Sequence, residues 1–167
     1  MRPTIPALAA VAALTGSLLV ASGAVQAEER TCRGSIGAVT VDNLRVPDGA
    51  TCILNGTRVK GTIKVETRST LDASGVRVVG NVQAENHTHV RLVNSSVEGS
   101  VQLKQGGTAA IGGNRVNGDV QLFTNTGAQA VRSNTIDGNL QCKENNPAPT
   151  GGNNRVGGNK EDQCAHL

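Results

Sequence analysis

One pattern constrains the fold of this chain more than any other: glycines recur at a nearly constant spacing along most of its length. These anchor glycines are separated by 19, 19, 19, 20 and 20 residues, and they are Gly61, Gly80, Gly99, Gly118, Gly138 and Gly158. Sequence periods of this size are typical of solenoids, in which each repeat is one supersecondary unit stacked on the next.

The residues around each anchor glycine alternate between apolar and polar, which indicates β-strands rather than helices. Apolar residues stand two before the glycine and two and four after it, with the glycine where room for a side chain is scarce. A second inward-facing segment is predicted ten and twelve residues after the glycine, at Leu71, Val90, Ala109 and Ala128, and at Ala73, Leu92, Ile111 and Ala130. Whether a third strand in each repeat is regular stays open.

These patterns predict an all-β, single-domain parallel β-helix (β-solenoid) that spans residues 28–167, with about six coils of 19–20 residues. The first coil is expected to be irregular. Gly37 is followed by Val39 and Val41 in the same frame, but Gly61 comes 24 residues later, so we expect an insertion around residues 47–49.

Residues 1–27 read as a signal peptide: Arg2 is followed by an apolar stretch over residues 7–20 and a small-residue cleavage site at residues 25–27. No second apolar run is long enough for a membrane span. Without Arg2 the chain has 15 basic and 13 acidic residues, so nothing demands a nucleic acid as partner. We therefore expect a secreted protein, extracellular or associated with the cell wall.

The four cysteines of an exported chain favour two disulfides over metal ligands. Cys32 and Cys52 fall near the start of the solenoid and Cys142 and Cys164 near its end, four to five coils apart, which is about 20 Å at strand spacing. Disulfide geometry excludes pairing over such a distance. The expected bridges are Cys32–Cys52 and Cys142–Cys164, one capping each end, which favours a monomer over a polymer.

The glycine-anchored coils between Gly37 and Gly158 resemble the right-handed parallel β-helix (pectin-lyase-like) superfamily, and the whole chain is similar to small exported β-helix proteins of Gram-positive bacteria. The segments of the type V-x-G-x-V-x-L also resemble those of bactofilins, which polymerise end to end. The resemblance implies a right-handed coil. It offers no local motif onto which catalytic residues transfer.

Two outward-facing columns are candidate polymer-binding surfaces. Three residues after the anchor glycines stand Gln83, Gln102, Gln121 and Gln141, which either stack on one another or bind an ordered polar ligand such as a glycan. A flat glycan site usually offers aromatic rings, and from the sequence we expect none here. Three residues before the glycines stand Arg58, Arg77, Arg115 and Arg155, a sparse basic stripe for an anionic polymer, with acids nearby.

A third candidate is the Glu-x-His-x-His segment of Glu85, His87 and His89, which in an extended strand offers three ligands to a divalent metal. Arg68 and Lys104 on neighbouring coils oppose a cation there, so we expect a solvated loop and assign no metal or cofactor. A further column, Asn114, Asn134 and Asn154, predicts a partial amide ladder.

The expected function is that of a secreted structural or interaction module, a rigid rod that presents repeated polar columns to cell-wall or extracellular polysaccharide. We do not expect an enzyme, because no spacing of Ser, His, Asp or Cys suggests a nucleophile and no paired carboxylates mark a cleft. The alternatives are a small polysaccharide-degrading β-helix enzyme and a glycan- or metal-binding module.

Overall fold

The computed structural model describes residues 28–167, and the predicted signal peptide, residues 1–27, lies outside this part of the chain. Residues 28–167 form short strands in three parallel sheets, and they contain no helix long and apolar enough to cross a membrane. Sheet A consists of β1 (Glu29–Thr31), β4 (Asn43–Val46), β7 (Ile63–Val65), β10 (Val82–Glu85), β13 (Val101–Lys104), β16 (Val120–Phe123), β19 (Leu140–Lys143) and β22 (Lys160–Asp162).

The other two sheets have seven strands each. Sheet B consists of β2 (Gly34–Ile36), β5 (Thr51–Asn55), β8 (Thr70–Ser74), β11 (His89–Val93), β14 (Thr108–Gly112), β17 (Gln129–Arg132) and β20 (Thr150–Gly152). Sheet C consists of β3 (Thr40–Val41), β6 (Arg58–Val59), β9 (Arg77–Val78), β12 (Ser96–Val97), β15 (Arg115–Val116), β18 (Thr135–Ile136) and β21 (Arg155–Val156).

The chain visits sheets A, B and C in turn and then returns to sheet A one strand further along, which makes a parallel β-solenoid as predicted. The described residues form about seven coils rather than about six, closed by β22. The third strand is regular. The apolar residue two before each anchor glycine lies on sheet C, while those two and four after it lie on sheet A, so the glycine turns a corner between two strands and is not inside one.

The anchor glycines stack directly on one another at this corner between sheets C and A. The N–H of Gly99 donates to the carbonyl oxygen of Gly80 over 3.1 Å, and the N–H of Gly118 donates to that of Gly99 over 3.0 Å. A Cβ on Gly99 would lie 2.7 Å from the Gly80 carbonyl oxygen and would also overlap the Asn81 side chain. Close approach of coil to coil, and not an unusual backbone angle, therefore explains the repeat of glycine.

The first coil is irregular in a different way from the one expected. Leu44 pairs with Ile63 and Thr51 with Thr70, so residues 47–49 belong to a coil of ordinary length and form no insertion. Gly37 lies at a corner between sheets B and C, so it is not in the frame of the anchor glycines. The Gly61 N–H donates to the carbonyl oxygen of Asp42 and not to that of a glycine. The irregularity is a shorter corner between β1 and β2. Thr31 pairs with Arg45 and Gly34 pairs with Cys52, so the segment from Thr31 to Gly34 spans the same corner as the longer segment from Arg45 to Cys52 in the next coil.

Aliphatic side chains fill the interior, and the sequence placed two of them wrongly. Ala109 pairs with Gln129 and Ile111 with Val131, so Gln129 and Val131 face inward, whereas Ala128 is exposed and Ala130 lies on the outer side. The corner before β17 is one residue longer than the corresponding corner in earlier coils, which shifts the alternation by one position. The buried Gln129 amide donates to the carbonyl oxygens of Gly107 and Gly127.

The predicted amide ladder is confirmed at the corner between sheets B and C. The Asn134 side-chain oxygen accepts hydrogen bonds from the backbone N–H and from the Nδ2 of Asn114, each with a donor–acceptor distance of 3.0 Å. The Asn154 side-chain oxygen accepts from the same two groups of Asn134. A second ladder, which sequence analysis missed, runs along the corner between sheets A and B through Asn125, Asn145 and Gln163. Both ladders satisfy backbone groups that a buried corner would otherwise leave unpaired.

Both predicted disulfides are present, and each joins successive coils near one end of the solenoid. Cys32 and Cys52 have their Cα atoms 5.5 Å apart, and Cys142 and Cys164 have theirs 5.3 Å apart. All four cysteines are buried at the ends of the core. After β22 the chain turns back, so that Leu167 is buried against the last coil.

Substituting an anchor glycine tests the stacking. We expect Gly99→Ala to lower the free energy of unfolding by about 1–3 kcal/mol, because its Cβ must push apart two coils whose backbones are hydrogen-bonded. Urea denaturation followed by far-UV circular dichroism measures the loss as a lower transition midpoint.

Gly37→Ala is the matched control. No atom lies within 4 Å of a Cβ built on Gly37, so the substitution should change stability by less than about 0.5 kcal/mol. Equal losses for the two variants would contradict the assignment of Gly37 to an open corner and of Gly99 to the stack.

Candidate functional site

The outer face of sheet A carries the glutamine column predicted from the sequence. Gln83 pairs with Gln102, Gln102 with Gln121, and Gln121 with Gln141, so the four side chains stand in register on successive strands. At about 4.8 Å from strand to strand, they form a straight row of amides. Each is half-buried or exposed, because its neighbours on the same strand point inward.

The glutamines form an incomplete ladder. Gln83 donates to Gln102 over 3.4 Å, Gln121 donates to Gln141 over 2.9 Å, and Gln141 donates to Glu161 over 2.8 Å. Within residues 28–167 no hydrogen bond joins Gln102 to Gln121, so amide groups at the centre of the column are available to a ligand. Towards the N-terminal end the same column continues with Lys64 and Arg45, and at the C-terminal end with Glu161.

Beside the glutamines runs a second outward column that contains the single aromatic residue of the chain. Lys104 pairs with Phe123 and Phe123 with Lys143, and all three point away from the core. The Lys104 ammonium lies 5.8 Å from the centroid of the Phe123 ring. Our expectation that the glutamine column lacks an aromatic neighbour is therefore wrong, because Phe123 falls at an outward position of β16 and not in the core.

The four arginines also stand in one column, on the outer face of sheet C, with Ser96 and Thr135 between them. Two of them are engaged in ion pairs: Arg77 with Glu98 over 2.9 Å, and Arg115 with Asp137 over 2.8 Å. Each pair joins one coil to the next and offsets the positive charge of the stripe. Sheet C is therefore a weaker surface for an anion than the row of residues suggests.

The polar residues that follow the anchor glycines have a structural role. The Asn81 side-chain oxygen accepts the backbone N–H of Ser100 over 2.8 Å, and the Asp119 carboxylate accepts that of Asn139 over 2.7 Å. Each of these side chains folds across the glycine of the next coil. Asp119 is thus held by a backbone N–H and Asp137 by Arg115, so both carboxylates are engaged in joining successive coils.

Glu85, His87 and His89 do not form a joint metal site. Glu85 lies on the outer face of sheet A, His89 starts β11 on sheet B, and His87 between them is buried. Asn86 has a φ of 52°, which breaks the alternation on which the metal hypothesis depended. His89 Nδ1 lies 2.6 Å from the Thr108 hydroxyl, and no group of three potential metal ligands occurs in residues 28–167.

His87 is the most unusual polar group of this corner. The residue is 2% exposed, and its ring lies where a Cβ of Gly106 would be, so the glycine in the next coil makes room for it. Neither ring nitrogen has a hydrogen-bond partner within residues 28–167. Burial away from water, with a smaller contribution from the nearby His89, lowers the pKa of His87 to about 4.

No protein-family model matches this chain, and no curated protein or solved structure is significantly similar to it. The structure establishes a parallel β-solenoid. Membership of the pectin-lyase-like superfamily, the likeness to bactofilins and the handedness that the first of these implies stay expectations from the sequence. The outer faces of the solenoid are therefore the part of the molecule from which a function can be inferred.

The buried imidazole predicts a pH-dependent stability. Because the pKa of His87 is about 4 in the folded chain and 6.5 ordinarily, the unfolded chain takes up a proton first as the pH falls. We expect the free energy of unfolding to fall as the pH drops from about 6.5 towards 4, by about 2–4 kcal/mol in total, and to be unaffected by His87 at higher pH.

Urea denaturation at several pH values between 7.5 and 4 measures this loss. His87→Asn removes the titrating ring and introduces the side chain that occupies this column at Asn125 and Asn145, so this variant should show a flatter profile. His89→Asn is the control and should keep most of the slope. An unchanged slope in His87→Asn would show that other groups cause the acid sensitivity.

Proposed function

We propose that this chain is an exported interaction module, a disulfide-braced rod that binds cell-wall or extracellular polysaccharide along the outer face of sheet A. The observation that carries the proposal is the register of Gln83, Gln102, Gln121 and Gln141 on four successive strands. Export is supported by the signal-peptide pattern of residues 1–27 and by two disulfides, which persist in oxidising compartments.

A row of amides suits the hydroxyl groups of a sugar chain. Each amide offers two donor hydrogens and one acceptor oxygen, and a sugar hydroxyl both donates and accepts. The gap between Gln102 and Gln121 leaves such groups unused by the protein itself. Because both strands are held in the stack by neighbours on either side, the backbone of the site needs no ordering on binding, which lowers the entropic cost.

The shape of the face suits an extended polymer. The depression beside the column, about 220 Å³ in volume, is bordered by Lys64, Gln83, Glu85, Gln102 and Lys104. The column crosses several coils, so a chain molecule lying parallel to the solenoid axis meets one amide after another. Repeated weak contacts of this kind add up to retention on a polymer.

The proposal describes a binding module and not a polysaccharide-degrading enzyme. A glycosidase needs two carboxylates that flank one bond. Asp119 accepts a backbone N–H, Asp137 is paired with Arg115, and Glu66 accepts two hydrogen bonds from the Arg45 guanidinium, so these three acids are engaged in holding coils together.

The glutamine column is tested by retention of the purified residues 28–167 on insoluble cell-wall material and on a panel of immobilised polysaccharides. We expect Gln102→Ala combined with Gln121→Ala to weaken retention about tenfold, because two hydrogen bonds of about 0.5–1.5 kcal/mol each are removed. Urea denaturation of the same sample shows whether the solenoid is intact.

Arg58→Gln combined with Arg155→Gln is the matched control on sheet C and should leave retention unchanged. Loss of retention in this arginine variant but not in the glutamine variant would contradict the assignment to sheet A. Soluble oligosaccharides released in the same tubes would contradict the non-catalytic part of the proposal.

A further inference from the structure

A cationic and aromatic patch lies beside the glutamine column, near the C-terminal half of sheet A. It consists of Lys104, Phe123 and Lys143, which stand at equivalent positions on β13, β16 and β19. Both lysines are exposed and the ring is partly exposed. The sequence contains no other Phe and no Tyr or Trp, so this is the single place where a benzene or indole ring meets the polar columns.

The charge of this patch is unbalanced. Neither Lys104 nor Lys143 forms an ion pair within residues 28–167, whereas the cations at the other end of the same face, Arg45 and Lys64, are both paired with Glu66. The glutamines beside the lysines are neutral. Glu85, one strand before Lys104, is the nearest carboxylate in the column by register. The patch therefore presents net positive charge to a ligand.

The geometry spreads this charge along the solenoid axis. Lys104 and Lys143 are two strands apart, which is about 10 Å at the usual strand spacing, with the ring between them. The ring lies 5.8 Å from the Lys104 ammonium and helps to hold it in place. The apolar C–H face of a sugar ring can pack against the exposed part of Phe123 while acidic groups on either side reach the lysines.

We propose that the patch of Lys104, Phe123 and Lys143 selects an anionic polysaccharide, a sugar chain with carboxylates, as the ligand of sheet A. This inference rests on the proposed function of the glutamine column and adds the chemical class of its ligand. The amides bind hydroxyl groups of any sugar chain, the ring contributes apolar contact, and the two ammonium groups favour the chain that carries negative charge.

The test compares two soluble polymers with the same backbone, carboxymethyl cellulose and hydroxyethyl cellulose, by affinity electrophoresis of residues 28–167. We expect stronger retardation by the carboxylated polymer, and a loss of this preference as salt is raised from about 0.05 to 0.5 M, because exposed charges are screened. Lys104→Gln combined with Lys143→Gln should abolish the preference.

Two further variants separate the contributions of the patch. Phe123→Ala should weaken retardation by both polymers about 2–10-fold, since an aromatic contact is worth about 0.5–1.5 kcal/mol. Glu85→Gln should strengthen binding to the carboxylated polymer, because it removes the carboxylate one strand before Lys104 in the same column. All of these substitutions are at outward positions, and urea denaturation confirms that each variant is folded.

The outcomes distinguish this inference from the proposal on which it rests. Equal retardation by both polymers, or an unchanged preference in the double lysine variant, would overturn the anionic selectivity while the glutamine column still binds sugar chains. Retention on the neutral polysaccharides of the panel without retardation by the carboxylated polymer would also overturn the anionic selectivity. Retention on no polysaccharide at all would overturn both.

Discussion

The stacking of one anchor glycine on the next is the contact on which the rest of this structure depends. From Gly80 onward, the N–H of each anchor glycine donates to the carbonyl oxygen of the anchor glycine in the preceding coil, and the side chain that follows that preceding glycine lies where a Cβ would be. This close approach fixes the height and the register of successive coils at one corner. Because the three sheets share the same chain, register at that corner sets register in all of them.

The other two corners of each coil differ from this one, because their turns are buried and the backbone groups of these turns need hydrogen-bond partners. Stacked side-chain amides do this at Asn114, Asn134 and Asn154 and again at Asn125 and Asn145, where each amide pairs both with its neighbour and with backbone carbonyls. His87 occupies the second of these corners without any such partner. It is the point at which the polar interior is least satisfied, and its burial is made possible by the absence of a side chain at Gly106.

The regularity that stabilises the stack also creates the surface that we propose as functional. Inward residues must be apolar, so the residues between them face outward at the same height in every coil and form straight columns. Because the outward position three residues after the anchor glycine is glutamine in four successive coils, these side chains form the glutamine column. The difference between sheets A and C lies in what surrounds the columns: ion pairs engage Arg77 and Arg115, whereas Lys104 and Lys143 are left free of them within the described residues.

By itself the sequence determined the period, the parallel solenoid and both disulfide partners, because so short a coil buries its apolar residues only by stacking on its neighbours and the height of the stack excludes pairing between the ends. Only the tertiary structure decided the frame of Gly37, the inward position of Gln129 and the burial of His87. The physical reason is the same for all of them. Alternation predicts direction only within a strand, and a corner that gains a residue or takes a left-handed φ, as at Asn86, resets which side chains face the core.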